Sequence, residues 1–154
     1  QGVNIDFHSF SIELFNYLRP KDFNYNFAVS DKNEIIDIYF QKELSQLSTI
    51  EINQAKKAFQ GNIKQKKIQA YTLDKILSFS KLENIKIDLL DIDVEAADLK
   101  VLKGFSVEKY RPDLICVEIH EKNIKASEIY KLLDSFNYEL IWSGIFSHIF
   151  RSKN

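Results

Sequence analysis

The stretch Ile87-Asp88-Leu89-Leu90-Asp91-Ile92-Asp93-Val94-Glu95-Ala96-Ala97-Asp98-Leu99-Lys100-Val101-Leu102-Lys103-Gly104 decides how this chain folds. Its first part, with Ile85 before it, is a short apolar run that ends in carboxylates, as a strand does when its last residues leave a sheet. Its second part predicts a helix over Glu95 to Lys103, acidic early (Glu95, Asp98) and basic late (Lys100, Lys103), with Gly104 as its stop. Strand then helix is the unit of a layered α/β domain, and the same alternation continues on both sides.

Downstream, Arg111-Pro112 introduces a second buried strand, Asp113 to Ile119, followed by a helix from Ser127 to Phe136. Tyr138 to Trp142 and His148 to Arg151 then predict a closing antiparallel pair around Ser143-Gly144. Upstream, Val3 to Asp6 reads as a strand end. Ser9 is the expected N-cap of a helix carrying Phe10, Leu14, Phe15 and Leu18 and stopped by Pro20. Strands are expected at Asn24 to Ser30 and Glu34 to Phe40, paired as a hairpin or an edge through Ser30-Asp31-Lys32-Asn33. The pattern weakens from Gln41 to Lys67, with a short helix around Glu51 to Phe59. It resumes as a strand at Lys67 to Leu73, with Thr72 capping a helix from Leu73 to Phe79. The expected sheet is mixed, and residues 1–154 form one domain.

Composition narrows the function. The 154 residues include 45% apolar ones and 20 aromatics, enough for one core. A net charge of −1 offers no uniform field for nucleic acid or an anionic membrane. Lys56, Lys57, Lys64, Lys66 and Lys67 form the one basic run, and a solvated surface is a better reading of it than a polyanion patch. One cysteine, Cys116, excludes a disulfide framework and points to a reducing, cytoplasmic setting. No apolar stretch reaches the roughly 18 to 20 residues of a membrane span, and the layout of a signal peptide is lacking. The absence of methionine and the start at Gln1 suggest a piece of a longer protein.

In open α/β sheets ligands bind beyond the carboxyl ends of the strands. Those ends hold Asp6, then Ser30 and Asp31, then Asp91, Asp93 and Glu95, then Glu118 and His120. Packing does not call for so many charges at strand ends, since an isolated buried charge is costly. Each residue also has a plainer reading. Asp6 could hold two ribose hydroxyls or cap the helix after it. Asp93 and Glu95 flank a helix start, where the dipole alone favours acids, but Asp91 adds a charge that capping does not need. One of Asp91 and Asp93 could instead pair with a lysine. Glu118 and His120 share one side of a strand, and His120 could act as a base near neutral pH or be satisfied by a neighbour. No strong metal spacing exists; a cation on Asp93, Glu95 and Glu118 is the remaining metal option. His8 and His148 carry no signal of their own. No nucleophile elbow and no phosphate-binding Gly-Lys-Ser/Thr loop is present.

Three blocks together resemble a known family: Thr72-Leu73-Asp74, the Ile87 to Gly104 stretch, and Arg111-Pro112-Asp113-Leu114-Ile115-Cys116-Val117-Glu118-Ile119-His120. In order and spacing they are similar to the C-terminal two thirds of an FkbM-type methyltransferase. Gly2-Val3-Asn4-Ile5-Asp6 and Phe27-Ala28-Val29-Ser30-Asp31 resemble that family's second and third strands. This chain has Asp91 and Ala96 where the family usually has lysine and glycine. The family's glycine-rich first strand and loop has no counterpart in it.

The resemblance implies a Rossmann-like methyltransferase fold with helices on both faces of a mixed, mostly parallel sheet, closed by the C-terminal antiparallel pair, with the first strand missing. It implies S-adenosylmethionine as cofactor and a small hydroxylated acceptor, possibly a saccharide. By position, Asp6 would bind the cofactor ribose, and Ser30 and Asp31 would lie near the adenine. Asp93 and Glu95 would face the methionine end or the acceptor, and Glu118 and His120 would line the acceptor side. Asp93, Glu95 and His120 are alternative bases. Two other functions stay open: a non-catalytic interaction module, such as a homodimer sealed through the missing edge, and a sugar- or nucleotide-binding domain.

Overall fold

A computed structural model of the chain describes residues 1–42, 48–50, 52–80, 82, 84–94 and 97–153. Six α-helices and ten strands alternate along them. The decisive stretch forms β7 (Leu89–Ile92) and α4 (Asp98–Lys103), a shorter helix than expected because its first turn begins at Asp98, with Ala97 as N-cap. β7 pairs in parallel with β8 (Leu114–Glu118). The expected closing pair is present as β9 (Tyr138–Ser143) and β10 (Ser147–Ser152). β10 lies antiparallel to both β8 and β9, so the sheet order is β7-β8-β10-β9.

This sheet carries the main core. Ile115, Val117 and Phe150 are fully buried and pack with Leu102 of α4 and with Leu133 of α6 (Glu128–Ser135). Each such side chain contributes about 1.5 to 3 kcal/mol through area removed from water. Ser127 caps α6 by accepting the Tyr130 N–H at 3.0 Å. Thr72 caps α3 (Leu73–Phe79) in the same way, accepting from Lys75 at 3.2 Å. The Thr72 cap stands where the sequence places it, whereas Ser127, expected as the first helical residue, is the cap and the helix begins at Glu128.

Tyr138 is 1% exposed, and its hydroxyl donates to the Pro112 carbonyl at 2.6 Å, tying β9 to the entry of β8. Tyr138→Phe leaves that carbonyl without its donor and should cost about 1 to 2 kcal/mol. Urea denaturation measures this, and an unchanged midpoint would show that the bond contributes nothing.

The N-terminal half differs from expectation. β1 (Val3–Ile5) and β2 (Phe23–Tyr25) form a parallel two-stranded sheet, with α1 (Ser9–Leu18) between them in sequence. The predicted strand Asn24 to Ser30 is split. Asn26 turns inward to donate from Nδ2 to the Asp6 carbonyl at 2.9 Å, and the chain resumes as β3 (Ala28–Val29) in another sheet. The expected hairpin with the next strand does not form. β4 (Glu34–Phe40) pairs antiparallel over seven positions with β6 (Lys64–Tyr71), which begins three residues earlier than the pattern suggests. β5 (Ser48–Thr49) adds to the other edge of β4, giving the order β3-β6-β4-β5, and α2 (Ile52–Ala58) follows it. Lys64, Lys66 and Lys67 are exposed on β6, so the basic run is solvated but lies partly on a strand.

The described strands therefore form three small sheets, not one mostly parallel sheet, and antiparallel pairs outnumber parallel ones.

Candidate functional site

The end of β1 is built to present Asp6. Its backbone N–H donates to the Tyr25 carbonyl at 3.2 Å, completing the β1–β2 ladder. Oδ1 accepts the His8 backbone N–H at 2.7 Å, an Asx-type turn that starts α1. His8, not Ser9, is consequently the N-cap residue. No described residue hydrogen-bonds Oδ2. The two readings of Asp6 are therefore compatible, since one oxygen shapes the turn and the other is open to a ligand.

Asp6 faces a cleft of about 520 Å³, within the range of small-molecule sites. Its lining comes from all three sheets. The turn between β1 and α1 supplies Asp6, Phe7 and His8, α1 supplies Phe10, and β3 supplies Ala28 and Val29. β4 supplies Ile36 and Ile38, β5 supplies Ser48 and Thr49, and the segment after β7 supplies Asp93, Val94 and Ala97. Two carboxylates set in largely apolar walls make a pocket suited to a ligand with hydroxyls and positive charge. A larger groove of about 740 Å³ opens beside the start of β8. Its Lys86 and Arg151 are held by Asp113 and Glu139, and it contains none of the strand-end carboxylates.

The other predicted residues distribute around the cleft. Ser30 is buried, its hydroxyl 3.2 Å from Asp31 Oδ1, and both follow the lining residue Val29 without entering the lining. Glu118 and His120 pair at 3.5 Å at the end of β8, and His120 packs on Phe146 with ring centres 5.0 Å apart. Neither lines the cleft. Glu95 lies outside the described residues. The three-carboxylate cation option, which needs Glu95, therefore also falls outside them; among the described residues no group of three or more His, Cys, Asp or Glu is arranged to hold a metal ion.

Two residues carry more than their sequence signal. Asp98, which the helix dipole alone would explain, is only 3% exposed, and its Oδ1 has no hydrogen-bond partner. Burial pushes its carboxyl up to about 6, with the charges of Glu118 and Asp93 adding to the rise and backbone hydrogen bonds at Asp98 and Glu118 opposing it. It thus links the cleft residue Asp93 to the Glu118–His120 pair. His8 is the second, with Nε2 3.3 Å from Ser48 Oγ in the cleft wall. Forty residues separate the two, so no local pattern could have joined them. Cys116, opposite Asp91 across the ladder, is no nucleophile: burial first and Asp91 second push its thiol up to about 11.

Residues 3–140 match the family profile described as the methyltransferase FkbM domain. The chain belongs to that family. No curated protein and no solved structure matches it. The FkbM match takes in the cleft, the Asp98 link and the Glu118–His120 pair, and it stops within β9. No helix among the described residues of this FkbM domain is long and apolar enough to cross a membrane.

Proposed function

We propose that this FkbM domain transfers a methyl group from S-adenosylmethionine to a hydroxyl of a sugar or another small hydroxylated metabolite, on a Rossmann-like framework in the cytoplasm. The observation that carries this reading is the meeting of Asp6 and Asp93, from the ends of two strands, in one cleft of about 520 Å³. The chemistry of the lining fits the cofactor. The open Oδ2 of Asp6 can accept from ribose hydroxyls, the apolar walls can cover a flat base, and the paired negative charges favour a ligand carrying sulfonium and ammonium groups. When bound, that cofactor supplies an electrophilic methyl on a sulfonium. The protein's part is to hold the acceptor oxygen in line with it, exclude water and receive the hydroxyl proton.

Ser30 and Asp31 adjoin the wall at Val29, where an adenine would lie, and the Glu118–His120 pair flanks the acceptor side. A small acceptor, and neither nucleic acid nor a membrane surface, suits a cleft of this size in a chain of net charge −1.

Calorimetric titration with S-adenosylhomocysteine tests the reading. Asp6→Ala should weaken binding about 10- to 100-fold, the loss of one or two hydrogen bonds to a charged group. Asp6→Asn keeps the acceptor for the His8 N–H, so a loss in that variant too separates ligand contact from turn formation. Affinity unchanged in both variants would remove Asp6 from the site.

A further inference from the structure

The turn between β9 and β10 carries exposed apolar side chains. Trp142, the only tryptophan in the chain, is 52% exposed, and Ile145 and Phe146 beyond it are exposed as well. The indole is nevertheless held in place. A Cβ at Gly144 would lie 2.7 Å from Trp142 Cη2, so the ring edge rests on the turn where glycine leaves room for it. The Gly144 N–H donates to the Ser147 carbonyl at 2.8 Å and closes that turn. Sheet register gives the direction in which Trp142 points, because residues directly opposite in neighbouring strands share a face. Trp142 lies opposite Ile149, Ile149 opposite Cys116, and Cys116 opposite Asp91, so the four form one row across the sheet. The adjoining row, with Ile92, Val117 and His148, is buried in the core, which puts the Trp142 row on the outer face. One further step along, Glu118 lies opposite Ser147 on that same outer face. Besides burial, the charges of Asp91, Asp93 and Glu118 all act on the Cys116 thiol, so these carboxylates gather on its side of the sheet. Trp142 and Glu118 stand two strands apart, about 10 Å. Neither row holds a basic side chain that a phosphate or an anionic lipid would require.

We propose that Trp142 is a platform for the methyl acceptor: the C–H face of one sugar ring stacks on the indole, and a second ring of the same saccharide reaches Glu118, whose carboxylate accepts from its hydroxyls. The inference rests on the methyltransferase reading above and adds to it that the acceptor spans at least two sugar rings. A pyranose carries C–H groups on its faces and hydroxyls around its rim. An exposed aromatic ring on the same sheet face as a row of carboxylates matches both kinds of surface at once. The separation of about 10 Å fits two linked rings and is too long for one ring to touch both groups. The path also leads to the right place. β7 lies on the far side of β8 from Trp142, and Asp93 at its end lines the cleft assigned to the cofactor, so a saccharide laid from Trp142 over Ser147 to Glu118 ends beside that cleft.

Because the chain has a single tryptophan, its fluorescence reports on this position alone. The test titrates the 154-residue chain, free and saturated with S-adenosylhomocysteine, with maltose, cellobiose and lactose, and with methyl glucoside as the one-ring control. Saturation-transfer NMR follows the same sugars. The expected result is a change of Trp142 emission with at least one disaccharide, with saturation passed to its C–H protons. In the NMR titration Trp142→Ala should weaken that disaccharide about 3- to 10-fold, and Trp142→Phe, which keeps an aromatic face, should recover part of the loss. Glu118→Gln leaves the indole in place and should weaken the same sugar. Emission unmoved by every disaccharide, or equal affinity in Trp142→Ala, overturns the platform. Methyl glucoside binding as tightly as the best disaccharide overturns the two-ring span. Emission that shifts with protein concentration alone assigns the patch to a second copy of the chain and overturns the proposal. Calorimetry with S-adenosylhomocysteine separates the two readings: heat without any saccharide signal removes the platform and leaves the cofactor site, whereas a saccharide signal without heat removes methyl transfer and with it the role of Trp142 toward an acceptor.

Discussion

Gly104→Ala should destabilise the protein by about 1 to 2 kcal/mol net, even though alanine is the better helix former. The residue follows α4 with φ −88° and ψ 4°, a conformation that any residue can adopt, so backbone freedom is not why glycine stands there. The reason is contact. A Cβ at this position would lie 2.6 Å from the Ser30 carbonyl oxygen and 2.6 Å from the Asp31 Cα. Both are main-chain atoms and cannot swing aside as a side-chain tip would. Ser30 is itself fixed, its N–H donating to the Tyr71 carbonyl at 3.0 Å. Either α4 or the β3–β6 edge must move. Overpacking of this kind costs about 1 to 3 kcal/mol, and the reduced freedom of the unfolded chain returns about 0.4 to 1. For a chain of this length the melting temperature should fall by roughly 2 to 8 °C. Because the displaced residues adjoin the cleft wall at Val29, binding of S-adenosylhomocysteine should weaken in the same variant. A melting temperature equal to or above that of the parent would refute the close approach.

The second large effect is a pH dependence carried by Asp98. Its carboxyl titrates near 6 in the folded protein against 3.8 for an ordinary aspartate, so the native state holds the proton more tightly than the unfolded chain. The stability contributed by the neutral carboxyl is fully present below pH 3.8 and is lost as pH rises through about 6. The loss amounts to about 3 kcal/mol, the equivalent of that difference in proton affinity. Asp98→Asn cannot ionise. Denaturation midpoints of the two proteins should nearly coincide at pH 4, diverge between pH 4 and 6, and differ most above pH 6.5, where the variant is the more stable. Parallel curves across that range would show that the buried carboxyl carries no such cost. The charges of Glu118 and Asp93 add to the rise that burial causes.

The sequence by itself determined what depends on neighbours along the chain. The cap at Thr72, the strand running into Asp91 and Asp93, the helix after Ser127, the closing strand pair and the helix at 52–58 follow from short-range hydrogen bonding and hydrophobic period, and each stands near its expected place. The family was legible for the same reason, since its blocks are local motifs in a fixed order. Asp6 and Asp93 were legible as strand-end acids.

The tertiary structure decided which edges meet. Glu34–Phe40 was identifiable as a strand, but alternation within a strand does not encode its partner, and it pairs with Lys64–Tyr71 instead of with the segment Asn24 to Ser30. Burial was decided there too. Asp98 on a helix surface would be ordinary, and only the packing of α4 over the ends of β7 and β8 turns it into a carboxyl that titrates near 6. His8 and Ser48, forty residues apart, meet because β5 adds to the far edge of β4 and brings its hydroxyl to the cleft. Side-chain chemistry is written residue by residue, whereas proximity and dielectric arise only when separate segments close around the same space.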